Sequence, residues 1–139
     1  MPSTRAPVAP EFRWPIRVYW EDTDAGGIVY YANYLKYFER ARTEWLRSLG
    51  FEQERLRREL GAVFVVADAG VRYLRPARLD DCLEVGTCVV ELRKASLQIG
   101  QQVWRGAELL VQGSIRLGCV DVASFKPRPL PAALCTSLG

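Results

Sequence analysis

Residues 33–50 read Asn33-Tyr34-Leu35-Lys36-Tyr37-Phe38-Glu39-Arg40-Ala41-Arg42-Thr43-Glu44-Trp45-Leu46-Arg47-Ser48-Leu49-Gly50. Tyr34, Phe38, Ala41, Trp45 and Leu49 recur every three or four positions, which is one apolar stripe at the helical period. Lys36, Glu39, Arg40, Thr43, Glu44 and Arg47 fill the other face. Asn33 suits an N-cap and Gly50 a C′ stop. A helix with Phe and Trp on one side has to bury that side, so this segment is predicted to be the central element of the fold.

Upstream, Phe12 to Trp20 is aromatic and β-branched, with Pro15 near its start. It reads as a strand, and as an edge strand because proline donates no ladder hydrogen bond. Glu21-Asp22-Thr23-Asp24-Ala25-Gly26-Gly27 forms a polar turn before the helix. Downstream, Phe51 to Leu60 reads as a short charged helix. Its Arg55, Arg57 and Arg58 stand among Glu52, Glu54 and Glu59, a solvated mixed-sign face rather than an RNA surface. From Gly61 the pattern turns to strands: Val63 to Leu74, then alternating runs around Leu83–Val89, Leu97–Val103 and Leu109–Leu117. The breaks at Arg75–Asp81, Lys94-Ala95 and Gly106 are short, which predicts antiparallel neighbours in a four-strand meander. Lys126 to Gly139 carries Pro127, Pro129 and Pro131 and is expected to be irregular. The sum is an α+β fold: a curved antiparallel sheet of about five strands wrapped around one long helix, the hotdog architecture. The expected organisation is a flexible tail over 1–11, one domain over 12–131 and a C-terminal tail over 132–139.

Composition narrows the chemistry. The chain has 139 residues, 49% hydrophobic and 25% charged, as in an ordinary soluble domain. Nineteen basic against sixteen acidic residues give a net charge of +3, too mild to argue for nucleic acid. There is no histidine, which excludes a Ser-His-Asp triad, a Cys-His pair, a His-ligated zinc and a His general base within the chain. Cys82, Cys88, Cys119 and Cys135 form no CxxC pair and are expected to be reduced, mostly buried thiols of a cytoplasmic protein. The first fifteen residues hold no apolar signal core, and the longest apolar run, Ala62 to Ala67, falls far short of the ~18 residues of a membrane span.

The turn before the helix concentrates the remaining chemistry. Gly26-Gly27 lets a ligand approach the backbone, and the helix N-terminus that follows offers unpaired N–H groups and a positive dipole end. A carboxylate beside such donors suits acyl transfer without histidine, as nucleophile or as base on water. Asp24 equally suits an Asx-turn, and Glu21 and Asp22 a structural role, since like charges so close do not all work at once.

The run Tyr19-Trp20-Glu21-Asp22-Thr23-Asp24-Ala25-Gly26-Gly27-Ile28-Val29-Tyr30-Tyr31-Ala32-Asn33-Tyr34 resembles the active-site signature of the 4-hydroxybenzoyl-CoA thioesterase family of hotdog proteins. Tyr37 to Arg47, Phe12 to Tyr19, Pro76 to Asp81 and Lys126 to Pro131 resemble its Tol–Pal-associated, YbgC-type branch, so that the likeness runs from about Phe12 to Pro131. The resemblance implies an acyl-CoA thioesterase that needs no metal and no cofactor beyond the CoA of its substrate. It places the catalytic carboxylate on Asp24 and the carbonyl-polarising backbone N–H on Tyr31, where that branch often has His. It places the CoA-phosphate site on Arg93 and Lys94, just before Ser96, with Gly26 and Gly27 at the substrate; two basic residues in a turn are also what a solvated loop contains. Lys126 and Arg128 are weaker phosphate candidates, and Arg72, Arg75 and Arg78 could instead pair with Asp80 and Asp81. The implied assembly is a homo-oligomer, a dimer of dimers. Alternatives are a thioesterase acting on acyl carrier protein, or a hotdog scaffold serving mainly as an interaction protein beside the Tol–Pal envelope system.

Overall fold

A computed structural model describes residues 11–138; the expected tail over 1–11 lies outside these residues except for Glu11. Strand β1 (Phe12–Arg17) leads through a 3₁₀ turn (Trp20–Asp22) and a loop into helix α1 (Asn33–Ser48), followed by α2 (Gln53–Leu60). Strands β2 (Ala62–Tyr73), β3 (Cys82–Leu92), β4 (Ser96–Arg105) and β5 (Glu108–Asp121) follow, then α3 (Ala132–Leu138). The five strands form one antiparallel sheet in the order β1-β3-β4-β5-β2. This is the expected α+β hotdog, with α1 lying across the sheet.

β1 is an edge strand, as Pro15 requires. The meander is shorter than the sequence suggests. Only β3, β4 and β5 follow one another as hairpins, whereas β2 pairs with β5 at the opposite edge. The segment 74–81 is therefore a crossover and not a turn. Reaching β3 from β2 means passing two strands, three spacings of about 4.8 Å, which eight extended residues span with ease. On its way the segment is tied to the loop before α1: Val29 N–H donates to Ala77 O at 2.9 Å, and Ala77 N–H donates to the Tyr34 hydroxyl at 3.0 Å.

α1 buries Tyr34, Tyr37, Phe38, Ala41, Trp45 and Leu46. The stripe is wider than its Tyr34–Leu49 spine because a helix lying on a broad sheet buries both flanks. Phe38 is fully buried, and its ring lies where a side chain on Gly113 of β5 would stand: a Cβ there would meet ring carbons at 2.6 Å. That glycine lets the helix approach the sheet closely. Beside it Gln101, fully buried, donates to Phe38 O at 3.0 Å and to Thr87 Oγ1 at 2.9 Å, and accepts from Arg42 Nη1 at 3.0 Å. A buried amide with its partners met is tolerated, and here it pins helix to sheet. At the other end of α1, Gly50 has φ +90° and donates to Arg47 O, while Phe51 donates to Leu46 O. This is the paired-bond glycine stop anticipated at Gly50.

Two further expectations are corrected. Residues 132–138 are helical rather than irregular. Pro131 offers its carbonyl to Leu134 and Cys135 at the start of α3, and Leu134 and Leu138, four apart, are buried against the core. The cysteines are all free, as expected, but only Cys119 is buried; Cys88 and Cys135 are half-buried and Cys82 is exposed.

Candidate active site

Asp22 and Asp24, two residues apart, sit in opposite environments. Asp22 is buried: its Oδ2 accepts Tyr19 N–H at 2.8 Å, and its carbonyl accepts Tyr30 N–H and Asn33 Nδ2, both at 2.9 Å. Behind it the Tyr37 hydroxyl is buried without a hydrogen bond of normal geometry. Burial first, then the neighbouring Asp22 carboxylate as hydrogen-bond partner and as charge, push its pKa far above the ordinary tyrosine value. Asp22 thus closes both ends of the loop, which is the structural role its spacing allowed.

Asp24 is exposed at the tip of that loop. Its Oδ1 accepts Gly26 N–H at 2.9 Å, its carbonyl accepts Gly27 N–H at 3.0 Å, and its own N–H donates to Ile28 O at 2.9 Å. This is an Asx-turn, so the bland reading of Asp24 holds for one carboxylate oxygen; no hydrogen bond among the described residues engages Oδ2. Gly27 has φ +79°, a conformation glycine adopts freely. A Cβ on Gly26 would come within 3.2 Å of Asp24 Oδ1. Trp20, Thr23, Asp24, Ala25, Gly27 and Leu79 line a hollow of about 480 Å³ open to solvent.

α1 begins at Asn33, so Tyr31 stands in the turn two residues ahead of it and not on the helix itself. Asn33 is the first helical residue, and its side chain ties to Asp22 instead of capping; no side chain caps the helix at Ala32. The Tyr31 N–H has no acceptor among the described residues, whereas the Tyr31 carbonyl accepts the Tyr73 hydroxyl at 3.0 Å. An unspent N–H beside a helix N-terminus is the donor that a developing oxyanion needs. Tyr31 lines a second hollow, of about 260 Å³, with Ile28, Val29, Tyr34, Tyr73, Leu74, Arg75 and Pro76. Tyr34 and Tyr73 were not anticipated there: their signal, apolar positions in a helix and a strand, is the same as that of core residues.

The basic candidates lie apart. Arg93, Lys94 and Ala95 form the β3–β4 hairpin after Leu92, and Arg93 N–H donates to Ser96 O at 2.9 Å. The Asp24 loop adjoins the opposite end of β3, where Arg17 pairs with Cys82. The length of β3, about 30 Å at strand rise, separates them within one chain. The Arg93 guanidinium pairs with Glu91. Arg128 is occupied by the Leu60 carbonyl at the end of α2. Asp81 forms its ion pair with Arg105 at 2.7 Å and not with the guanidinium of Arg72, Arg75 or Arg78, although the Arg78 backbone N–H donates to its Oδ2 at 2.8 Å, and Arg75 pairs with Glu108 at 3.0 Å. On α2, Arg55 and Arg57 pair with Glu59 and Glu54. Among the described residues no group of three acidic or cysteine side chains could hold a metal, and no helix is long and apolar enough to cross a membrane.

The curved five-stranded sheet with α1 across it is the hotdog fold, and an exposed carboxylate and an unspent backbone N–H stand ahead of its central helix. Residues 18–138 match the family model of the thioesterase-like superfamily. The acyl-CoA thioester hydrolase YbgC of Escherichia coli is 48% identical over 124 residues, 88% of this chain and 92% of that protein. The acyl-CoA thioesterase YbgC of Haemophilus influenzae is 45% identical over 120 residues, 86% and 88% of the two chains. The crystal structure of a probable thioesterase from Bartonella henselae matches with a TM-score of 0.85 at 34% identity, covering 88% of this chain and all of that one. The chain belongs to the thioesterase-like superfamily, with the YbgC-type proteins, and is a thioester hydrolase.

Proposed function

We propose that the protein hydrolyses the thioester of an acyl-CoA to a carboxylic acid and free CoA, with Asp24 and the Tyr31 N–H as its working groups. The observation that carries this is the contrast between Asp22, spent on the loop, and Asp24, exposed with one carboxylate oxygen free. The thioester carbonyl takes a hydrogen bond from the Tyr31 N–H, which draws electron density onto its oxygen. Asp24 then attacks the carbonyl carbon and expels the thiolate, leaving an anhydride for water to open, or it takes a proton from a water that attacks directly. Its Asx-turn with Gly26 fixes the carboxylate in either case. Neither step calls for a metal or redox cofactor.

The relatives named for acyl-CoA support that carrier, and phosphopantetheine on acyl carrier protein offers the same thioester. The phosphates of CoA suit Arg93 and Lys94, with Ser96 beside them, contributed by a second copy of the chain because one copy holds them too far from Asp24. We therefore also propose a homo-oligomer, a dimer or dimer of dimers, with β1 and β2 as the open sheet edges that pairing would close. The test is hydrolysis of a panel of acyl-CoA esters, from short aliphatic to benzoyl, with free thiol detected, beside the same acyl groups on acyl carrier protein. Failure of every thioester on both carriers removes the proposed activity.

A further inference from the structure

The Tyr31 N–H can polarise a carbonyl only if its peptide plane is held still. That plane also carries the Tyr30 carbonyl, which accepts Asn33 N–H at 2.8 Å. The described peptides are trans, so the Tyr31 N–H points the opposite way, out from the helix start. The next plane carries the Tyr31 carbonyl, and the Tyr73 hydroxyl from the end of β2 donates to it at 3.0 Å across 42 residues of sequence. Both planes that meet at the Tyr31 Cα are thus held, one by the helix and one by Tyr73.

Tyr73, although 45% exposed, is held in place by two neighbouring rings. Its ring meets the Tyr31 ring edge-on, centroids 6.1 Å apart, and tilts against Tyr34 at 5.6 Å. Tyr34 in turn holds Ala77 N–H of the crossover with its hydroxyl. The Tyr73 pKa is raised, by burial first and by the two tyrosines next, so the hydroxyl stays protonated, a donor, throughout the neutral range.

We propose that Tyr73 is a positioning residue: its hydroxyl fixes the Tyr31 peptide so that the N–H stays aimed at the substrate carbonyl, and its loss lowers turnover rather than substrate binding. This rests on the role given above to the Tyr31 N–H. The group deleted in Tyr73→Phe is one hydroxyl already spent on the Tyr31 carbonyl, so kcat is expected to fall about fivefold, the worth of one net hydrogen bond, with KM nearly unchanged.

The direct test is spectroscopic. Asp24→Asn is loaded with benzoyl-CoA or hexanoyl-CoA carrying ¹³C at the thioester carbonyl, and the carbonyl stretch is read by infrared difference. A shift to lower frequency on binding is expected, and a smaller shift with Asp24→Asn/Tyr73→Phe. The band reports only folded, ligand-bound sites, so lost stability does not mimic the result. Equal shifts in the two proteins, or an unchanged kcat in Tyr73→Phe, overturn the role of Tyr73. Absence of any shift in Asp24→Asn with bound ligand overturns the Tyr31 reading itself and leaves Tyr73 nothing to position.

Discussion

The side-chain amide of Asn33 donates to the main-chain carbonyl of Asp22 at 2.9 Å, joining the first residue of α1 to the base of the loop that carries Asp24. The same carbonyl accepts Tyr30 N–H, so one oxygen holds both the residue before Tyr31 and the helix start. Asn33→Ala is expected to cost about 1 kcal/mol, since the carbonyl keeps its second donor and is not orphaned. Asn33→Asp separates two explanations. Interaction with the helix dipole alone would make a carboxylate there stabilising by a few tenths of a kcal/mol. The tie to Asp22 needs a donor, so Asn33→Asp should be the worse of the two in urea denaturation; an Asp variant more stable than wild type would show that the tie matters little.

Asp24→Asn keeps the size of the side chain and the acceptor for Gly26 N–H, and removes the anion. A loss of ~10²–10⁴-fold in kcat is expected of a positioned nucleophile or base, with an unchanged melting temperature. Asp22→Asn should reverse that pattern. Its carboxylate is buried on Tyr19 N–H beside the Tyr37 hydroxyl, so stability should drop by about 1–3 kcal/mol while the folded fraction still turns over. Retention of more than roughly a tenth of wild-type kcat in Asp24→Asn would remove Asp24 from the chemistry.

Gly26 tests the turn without touching the carboxylate. An alanine there brings its methyl to 3.2 Å from Asp24 Oδ1, so the carboxylate has to shift by a few tenths of an ångström. Misplacement on that scale is expected to lower kcat by about tenfold, less than Asp24→Asn, with little effect on stability because φ at Gly26 is not positive. Gly27→Ala, at φ +79°, should instead lose about 1 kcal/mol of stability. Comparing the two variants by kcat and by thermal melting separates placement of Asp24 from strain in the loop.

How far the sequence carries is visible in particular residues. The apolar spacing of α1 and the stop at Gly50 were legible because they follow from local periodicity and from one backbone conformation. The pairing of β2 with β5 was not, since a break of a few residues looks the same whether it turns or crosses, and the choice depends on what the segment meets, here Val29 and Tyr34. The helix at Ala132–Leu138 was masked by the prolines just before it, although Leu134 and Leu138 carried the spacing. Asp24 stood out in the sequence only together with a resemblance, and what separates it physically from Asp22 is burial, which spacing alone does not encode. Tyr73 carried no signal, because its hydroxyl meets Tyr31 only after 42 residues of chain have folded back.

The same limit governs the phosphate site, and it yields the sharpest prediction about assembly. Arg93 and Lys94 lie at one end of β3 and the Asp24 loop at the other, so both serve one substrate molecule only if they come from different copies of the chain. Arg93→Ala/Lys94→Ala should raise KM for acyl-CoA at low ionic strength with kcat little changed, because phosphates are bound alike in ground and transition states. The effect should shrink as salt approaches about 1 M. Glu91, the present partner of Arg93, competes with the phosphate, so Glu91→Gln is expected to lower KM slightly. Subunit sharing is then read by complementation. Oligomers assembled from a mixture of Asp24→Asn and Arg93→Ala/Lys94→Ala chains contain some sites with an intact carboxylate from one copy and intact cations from another. Those mixtures should recover, at low substrate, a kcat/KM above the average of the two parents, with light scattering reporting a species larger than 15.7 kDa. Strict averaging of the parents, or a fully active monomer, would place the phosphate contacts on the same chain as Asp24 and away from the hairpin.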